Sequence, residues 1–309
     1  MKLWLPAASS IAHEVDYLIA ALTLIAVAVL ALVFGLMLLF VFKYRAGSRI
    51  DRGALAKKTW RIESAWTALT LLIFFGLFIW GADLYLRLSQ PPAGALTVYI
   101  VAKQWMWKAE HIGGQREINA VHLPTGRAVQ LVMTSEDVIH DFSVPAFRVK
   151  HDVLPGRYET LWFRVDRPGT YDLFCTRLCG TDHAHMTGKI VAMEGPNYQK
   201  WLEQNGTSGT LVAAGQVLFS RYGCNGCHGG HGTVRAPSLD GVYGSPVPLS
   251  DGTTVIADDR YLRDSILKPR SQVVASYVPV MPSFAGQISE EDLIKLIAYI
   301  KSLAPEKSS

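Results

Sequence analysis

The sequence predicts a multi-domain membrane protein: a two-helix transmembrane hairpin, then a β-rich domain, then a domain helical at both ends. Three observations carry that reading. Apolar residues make up 50% of the 309 and charged residues 18%, with a mean hydropathy of +0.19, whereas an average soluble domain is about 25% charged. Two stretches hold no charge at all, Tyr17 to Phe42 (26 residues) and Ser64 to Ala82 (19 residues). Beyond residue 95 the pattern changes to short β-branched and aromatic runs separated by turn residues. Glycine (26) and proline (15) are at ordinary usage, which excludes a collagen-like or low-complexity chain. A net charge of +4, from 30 basic and 26 acidic residues, is too small to argue for nucleic acid.

Both uncharged stretches reach the roughly 20 apolar residues that a spanning helix needs. A cleaved signal peptide has a shorter apolar core preceded by basic residues, but here His13, Glu14 and Asp16 come first. The connecting loop carries Lys43, Arg45, Arg49, Arg52, Lys57, Lys58 and Arg61, with Asp51 as its one acid. Positive loops stay in the cytoplasm, so both termini and everything after Asp83 are expected outside, on the periplasmic or outer side of a bacterial plasma membrane. After Ser89-Gln-Pro-Pro-Ala-Gly94, the runs Leu96–Ala102, Ala128–Thr134, Thr160–Val165 and Lys189–Met193 alternate with turn signals at Gly113-Gly114, Pro124-Thr-Gly126, Pro155-Gly156 and Pro168-Gly169. That spacing predicts an all-β sandwich or barrel. Polar Glu203 to Gly209 reads as a linker. Helices follow at Val212–Arg221 and, after a Ser289 cap with acids in the first turn, at Glu290–Leu303. The expected division is 1–90 for the N-terminal segment and hairpin, 91–202 for the β domain, 203–210 for the linker and 211–309 for the last domain.

All four cysteines fall in two short motifs. In the first, Phe174-Cys-Thr-Arg-Leu-Cys-Gly-Thr-Asp-His-Ala-His-Met186 gathers Cys175, Cys179, His183 and Met186 within 12 residues, and His140 lies upstream. Structural zinc usually takes only Cys and His, whereas a thioether beside thiolates favours copper. Two thiolates on one loop can bridge two metal ions and spread one electron over both. A zinc site and a Cys175–Cys179 disulfide, which the extracytoplasmic address permits, are the competing readings of the residues alone. His185 competes with His183 as the imidazole.

This loop resembles the dinuclear copper loop of the cytochrome c oxidase subunit II family, whose pattern is Cys-x3-Cys-x3-His-x2-Met with an upstream histidine. The resemblance covers residues 1 to about 200. It implies a cupredoxin-like fold for the β domain, two copper ions on His140, Cys175, Cys179, His183 and Met186, and His183 rather than His185 as ligand. It also implies that electrons come in at Trp105 of Gln104-Trp-Met-Trp107. Lys150-His-Asp-Val-Leu-Pro-Gly-Arg157 is similar to a further stretch of the family. Glu63, at the start of the second helix, matches a family glutamate at the mouth of a proton-uptake path, and reads equally as a solvated acid at a helix N-terminus. One position departs. Where many members carry a glutamate whose carbonyl binds copper and whose carboxylate binds magnesium, this chain has Arg177. Its carbonyl can still serve copper, but a guanidinium cannot bind magnesium, so that metal is expected absent or held differently.

In the second motif, Cys224-Asn-Gly-Cys-His228 is the attachment sequence for a covalent haem; its Cys-x2-Cys alone would also suit zinc or a redox-active dithiol, and the extracytoplasmic address and a downstream Met-Pro favour haem. Cys224 and Cys227 form the thioethers, His228 is an axial ligand of the iron, and Met281 in Val278-Pro-Val-Met-Pro-Ser-Phe284 is the expected sixth ligand, a pairing that raises the potential. With Gly215-x2-Leu-Phe219 upstream, residues 211–305 resemble an all-α class I cytochrome c carrying one haem c. The two resemblances together imply the electron-input subunit of a respiratory haem–copper oxidase. Its partners would be subunit I, where oxygen is reduced to water with proton pumping, subunit III, and an external donor, either cytochrome c or a quinol–cytochrome c reductase complex. No catalytic residue is expected in this chain. The alternatives are the same subunit of a nitric oxide reductase, which Arg177 modestly favours, and a stand-alone tethered electron carrier.

Overall fold

The computed structural model describes residues 6–50, 60–206, 209–229 and 236–303. Arg52, Lys57 and Lys58 of the basic loop lie outside them, as do parts of the linker and the C-terminal end. The chain divides into two compact units, Ser10–Gln90 and the remainder.

In the first unit, helix α1 spans Ala12–Lys43 (32 residues) and α2 spans Trp60–Ser89 (30 residues). At 1.5 Å per residue each is about 45 Å or longer, more than the roughly 30 Å of a bilayer's hydrocarbon core. Among the described residues only Ala12 in α1 and Leu84 in α2 are buried. Such apolar faces, open on all sides, require lipid or a partner protein around them. Glu63 sits in the first turn of α2, as expected. Arg87, in the last turn of α2, donates to both carboxylate oxygens of Glu14 in the first turn of α1, at 3.2 and 2.5 Å. The hairpin therefore brings the start of α1 and the end of α2 to one end.

The second unit begins with a two-sheet sandwich. Its strands are β1 Leu96–Lys103, β2 Met106–His111, β3 Arg116–Ile118, β4 Ala120–Pro124, β5 Ala128–Ser135, β6 His140–Val144, β7 Val149–Val153, β8 Glu159–Arg164, β9 Gly169–Cys175 and β10 Thr187–Met193. The first sheet has the order β3-β2-β1-β5-β8 and the second β4-β10-β9-β6-β7. Alternation along β1 sends Val98, Ile100 and Ala102 into the core between the sheets, where they join Phe142, Leu173 and Ile190. Tyr99 and Val101 point the other way and are also buried, in a second cluster with residues of the C-terminal domain. Burial on both faces explains why Leu96–Ala102 reads as a continuous apolar run. Gly156 holds a φ of +80° in the β7–β8 turn, a left-handed conformation that favours glycine.

Helix α3 (Gly195–Gln204) closes the sandwich. Tyr198, Trp201 and Leu202 recur at i, i+3 and i+4 along it, a pattern too short to predict a helix on its own, and its last turn includes Glu203 and Gln204, the first two residues of the expected linker. The C-terminal domain contains α4 (Leu211–Arg221), α5 (Asn225–His228), a hairpin of β11 (Pro246–Pro248) and β12 (Thr254–Ile256), α6 (Asp259–Leu267) and α7 (Glu290–Ser302). Ser289 caps α7 by accepting from the Asp292 amide at 3.1 Å. The hairpin and α6 are additions to the expected pair of terminal helices. Those helices, α4 and α7, cross at Gly215, where a Cβ would stand 2.0 Å from the Lys295 carbonyl oxygen. Only a hydrogen fits there.

Candidate metal centres

The first centre forms where the second sheet meets the loop after β9. His140 opens β6, Cys175 ends β9, and β6 pairs with β9 through Phe142 opposite Cys175. That register brings His140 to the cysteine loop across 35 residues of chain. The donor atoms converge. Cys175 Sγ lies 3.6 Å from Cys179 Sγ, and Cys179 Sγ lies 3.4 Å from His183 Nδ1 and 3.7 Å from Met186 Sδ. His140 Nδ1 lies 3.1 Å from Met186 Sδ and 4.0 Å from Cys175 Sγ. The Arg177 carbonyl oxygen is 3.2 Å from Cys175 Sγ. His140, Cys175, Cys179 and Met186 are buried. His185 is turned outward, its ring bonded to Asp182 at 2.5 Å and its side chain 81% exposed, so the geometry brings in His183 and leaves His185 out.

The surroundings orient these groups. His140 Nε2 bonds Asp137 Oδ1 at 2.8 Å, which turns Nδ1 toward the sulfurs and fixes which nitrogen is free to bind metal. Asp137 also accepts from the Gln104 and Val138 amides at 2.7 and 2.6 Å. Burial pushes its carboxyl up, but these bonds outweigh burial and hold it below the usual carboxylate range. Burial likewise opposes charge on both thiols. At Cys175 hydrogen bonds from His140 and the neighbouring backbone overcome it and lower the pKa, whereas Cys179, buried and beside Cys175, is pushed up. One thiol thus ionises at the other's expense. A bound cation is what allows both to be thiolates. Two thiols, two imidazole nitrogens, a thioether and a carbonyl within reach of one another fit a soft metal, and the thioether selects copper over structural zinc.

Trp105 is half-buried against the same loop: a Cβ on Gly180 would stand 3.1 Å from its ring. Gln104 Nε2 donates to the Cys179 carbonyl at 2.7 Å, pinning the β1–β2 turn to the cysteine loop. The Arg177 guanidinium pairs with Asp152 at 3.1 Å, so the side chain that departs from the family pattern is satisfied within this chain. Asp137, Gln104 and Asp152 were not singled out in the sequence. Asp137, three residues before His140, was the most readable of them.

The second centre is an apolar cavity of about 610 Å³ in the C-terminal domain, lined by Cys224, Cys227, His228 and Met281 with Phe219, Leu262, Leu296 and Ile300. The structure thus brings together all four residues expected to hold haem. His228 Nδ1 donates to the Pro237 carbonyl at 2.9 Å, leaving Nε2 for the iron. Cysteines at the rim, an oriented imidazole, a thioether and an apolar lining fit a covalently attached haem.

Fold and sites together define a membrane-anchored electron-transfer protein with a copper centre in a cupredoxin-like sandwich and a haem c centre in a fused cytochrome domain. Residues 2–81 match the family described as cytochrome c oxidase subunit II, transmembrane domain, and residues 99–193 match cytochrome c oxidase subunit II, periplasmic domain. Residues 210–300 match cytochrome c oxidase, cbb3-type, subunit III. Cytochrome c oxidase subunit 2 of Alkalihalophilus pseudofirmus is 30% identical over 256 residues, covering 78% of this chain and 73% of the relative. An alternative cytochrome c oxidase subunit 2 of Bradyrhizobium diazoefficiens is 29% identical, covering 59% of this chain and 76% of that one. A crystal structure of the periplasmic domain of subunit II from Bradyrhizobium japonicum is 30% identical, covering 38% of this chain and 96% of that chain, with a TM-score of 0.36. The chain belongs to the cytochrome c oxidase subunit II family, whose members are part of haem–copper terminal oxidases.

Proposed function

We propose that this chain is the electron-input subunit of a proton-translocating, oxygen-reducing respiratory oxidase. An external donor, cytochrome c or a quinol–cytochrome c reductase complex, reduces one haem c held by Cys224, Cys227, His228 and Met281. The electron passes to two copper ions held by His140, Cys175, Cys179, His183, Met186 and the Arg177 carbonyl, and from there to subunit I, with subunit III completing the complex. Bound there, copper supplies one-electron chemistry with the charge spread over two ions. This chain's residues orient the ligands, exclude water and set the path. Trp105 takes electrons from donors that reach the copper loop directly, and Glu63 stands at the mouth of a proton-uptake path. Both termini and both redox domains (91–202 and 211–309) face the outer side of a bacterial plasma membrane. The Arg177 guanidinium, paired with Asp152, stands where many family members carry the magnesium-binding glutamate, so that metal is absent or held differently.

The observation that carries this reading is the convergence of five soft and borderline side-chain donors, two of them thiols 3.6 Å apart. Purification of the membrane complex through a tag on this chain tests it. A polytopic haem protein should co-purify, and the complex should consume oxygen when the haem is reduced. Recovery of the chain alone, fully loaded, would make it a tethered carrier instead. A partner that consumes nitric oxide and not oxygen would move it to the related reductases.

A further inference from the structure

The cytochrome domain is seated on the sandwich. Tyr99 and Val101 of β1, Val132 of β5 and Tyr158 before β8 share one apolar cluster with residues of α4, α6 and α7. Polar contacts frame it. Lys108 Nζ of β2 donates to Glu291 of α7 at 2.9 Å and to Glu136 at 3.0 Å. Arg263 of α6, only 3% exposed, donates to the Gly156 carbonyl at 2.5 Å and stands 5.7 Å over the Tyr158 ring. Both sides of the linker are tied to the β2–β3 turn, because Gln115 Nε2 donates to the Leu202 carbonyl at 2.9 Å and the Leu211 amide to the Ile112 carbonyl at 3.1 Å. Buried apolar area with an enclosed guanidinium is the anatomy of a settled interface, not of a swinging tether.

Lys108 and Trp107 are consecutive in β2 and so face opposite sides of the first sheet. Lys108 meets α7. Trp107 points into the core, fully buried, edge-on to the His140 ring with 6.1 Å between centroids. Its indole nitrogen has no hydrogen-bond partner among the described residues. Trp105 lies at the end of the hairpin, half-exposed over Gly180 and the cysteine loop. The two indoles approach the copper donors from different directions: Trp107 from beneath the seated cytochrome domain, Trp105 from the half-exposed hairpin end, although its indole nitrogen is also buried without a partner among the described residues.

We propose that the fused cytochrome domain delivers its electron through Trp107 and His140, and that Trp105 serves donors arriving from outside. The inference rests on the electron path given under Proposed function. One electron moves: the haem is oxidised by one electron and the copper pair is reduced by it, with no bond or proton exchanged.

The test uses the copper- and haem-loaded full chain in its complex. The haem is reduced in a flash and the appearance of the electron on copper is followed optically. Trp107→Phe, which keeps an aromatic ring in the core, should slow the internal transfer roughly tenfold, about 1.4 kcal/mol of barrier, with copper resonance and both potentials unchanged. Trp105→Phe should leave that rate unchanged and slow reduction of copper by a soluble reductant in a Cys224→Ser/Cys227→Ser chain. A slow internal step in Trp105→Phe with a normal one in Trp107→Phe overturns the inference, as does a normal rate in both. No internal transfer in the unmodified chain would instead overturn the electron path itself. Seating of the domain is read without any cofactor signal. A carbodiimide should join Lys108 to Glu291 in the unmodified chain and not in Glu291→Gln, and absence of that cross-link in the unmodified chain also overturns the inference.

Discussion

The copper and haem centres solve one problem, holding a metal for fast electron transfer, in opposite ways. The copper donors are assembled by the sandwich: His140 reaches the cysteine loop because β6 pairs with β9, and Asp137 orients its ring from the other side. They stand 3.1 to 4.0 Å apart because paired strands and one loop fix them, so the fold organises that centre. The haem residues instead line an apolar cavity of about 610 Å³ between short helices and loops. Such a space is stable when filled, because empty apolar volume costs packing energy. There the cofactor organises the fold. The two oriented histidines differ in the same sense, His140 leaning on a carboxylate and His228 on a backbone carbonyl.

If that contrast is right, damage to one centre should leave the other alone. Cys179→Ser should abolish the signal of an electron shared between two coppers while the haem spectrum and the fold persist; an unchanged copper spectrum would remove Cys179 from the ligand set. Met281→Ala should alter the haem's axial ligation, visible in its optical bands, and leave copper intact. A change at both centres would mean that they are not separate modules. Gly215→Ala perturbs the packing of the haem domain alone. Its methyl would meet the Lys295 carbonyl, at 2.0 Å before relaxation, and overpacking of this kind costs about 1–3 kcal/mol. Thermal unfolding followed at the haem should shift down, whereas loss of the copper signal should not move. Asp137→Asn is the gentlest probe. Loss of a carboxylate behind a metal-binding histidine costs about 10–100-fold in metal affinity, readable by competition with a copper chelator at unchanged haem content.

Legibility in the sequence followed chain distance. The two spans, the cysteine loop and the haem motif are local patterns, and each appears in the structure where the pattern placed it. Expected strands matched observed ones within about two residues, and α4 and α7 within one, because alternation, caps and apolar runs are short-range signals. Features that depend on strand pairing were not readable. Trp107 earns its position beside His140 only through the packing of one sheet on the other, and Gln104 meets Cys179 across 75 residues. Helices α3 and α6 were missed because both are short and polar on average, although Asp258 caps α6 by accepting from the Tyr261 amide and was a usable sign. Arg177 was visible as an anomaly; its partner Asp152, on β7, was not.

The proposed function requires a shared-electron copper pair and a low-spin haem c on one chain. The direct measurement is an electron paramagnetic resonance and optical spectrum of the oxidised, copper-loaded full-length chain. The expected result is a hyperfine pattern from one electron spread over two equivalent coppers, together with the signal of a low-spin haem c with His/Met ligation. A single-copper or copper-free spectrum beside an intact haem would contradict it, and would leave a haem-bearing membrane tether whose cysteine loop has another task.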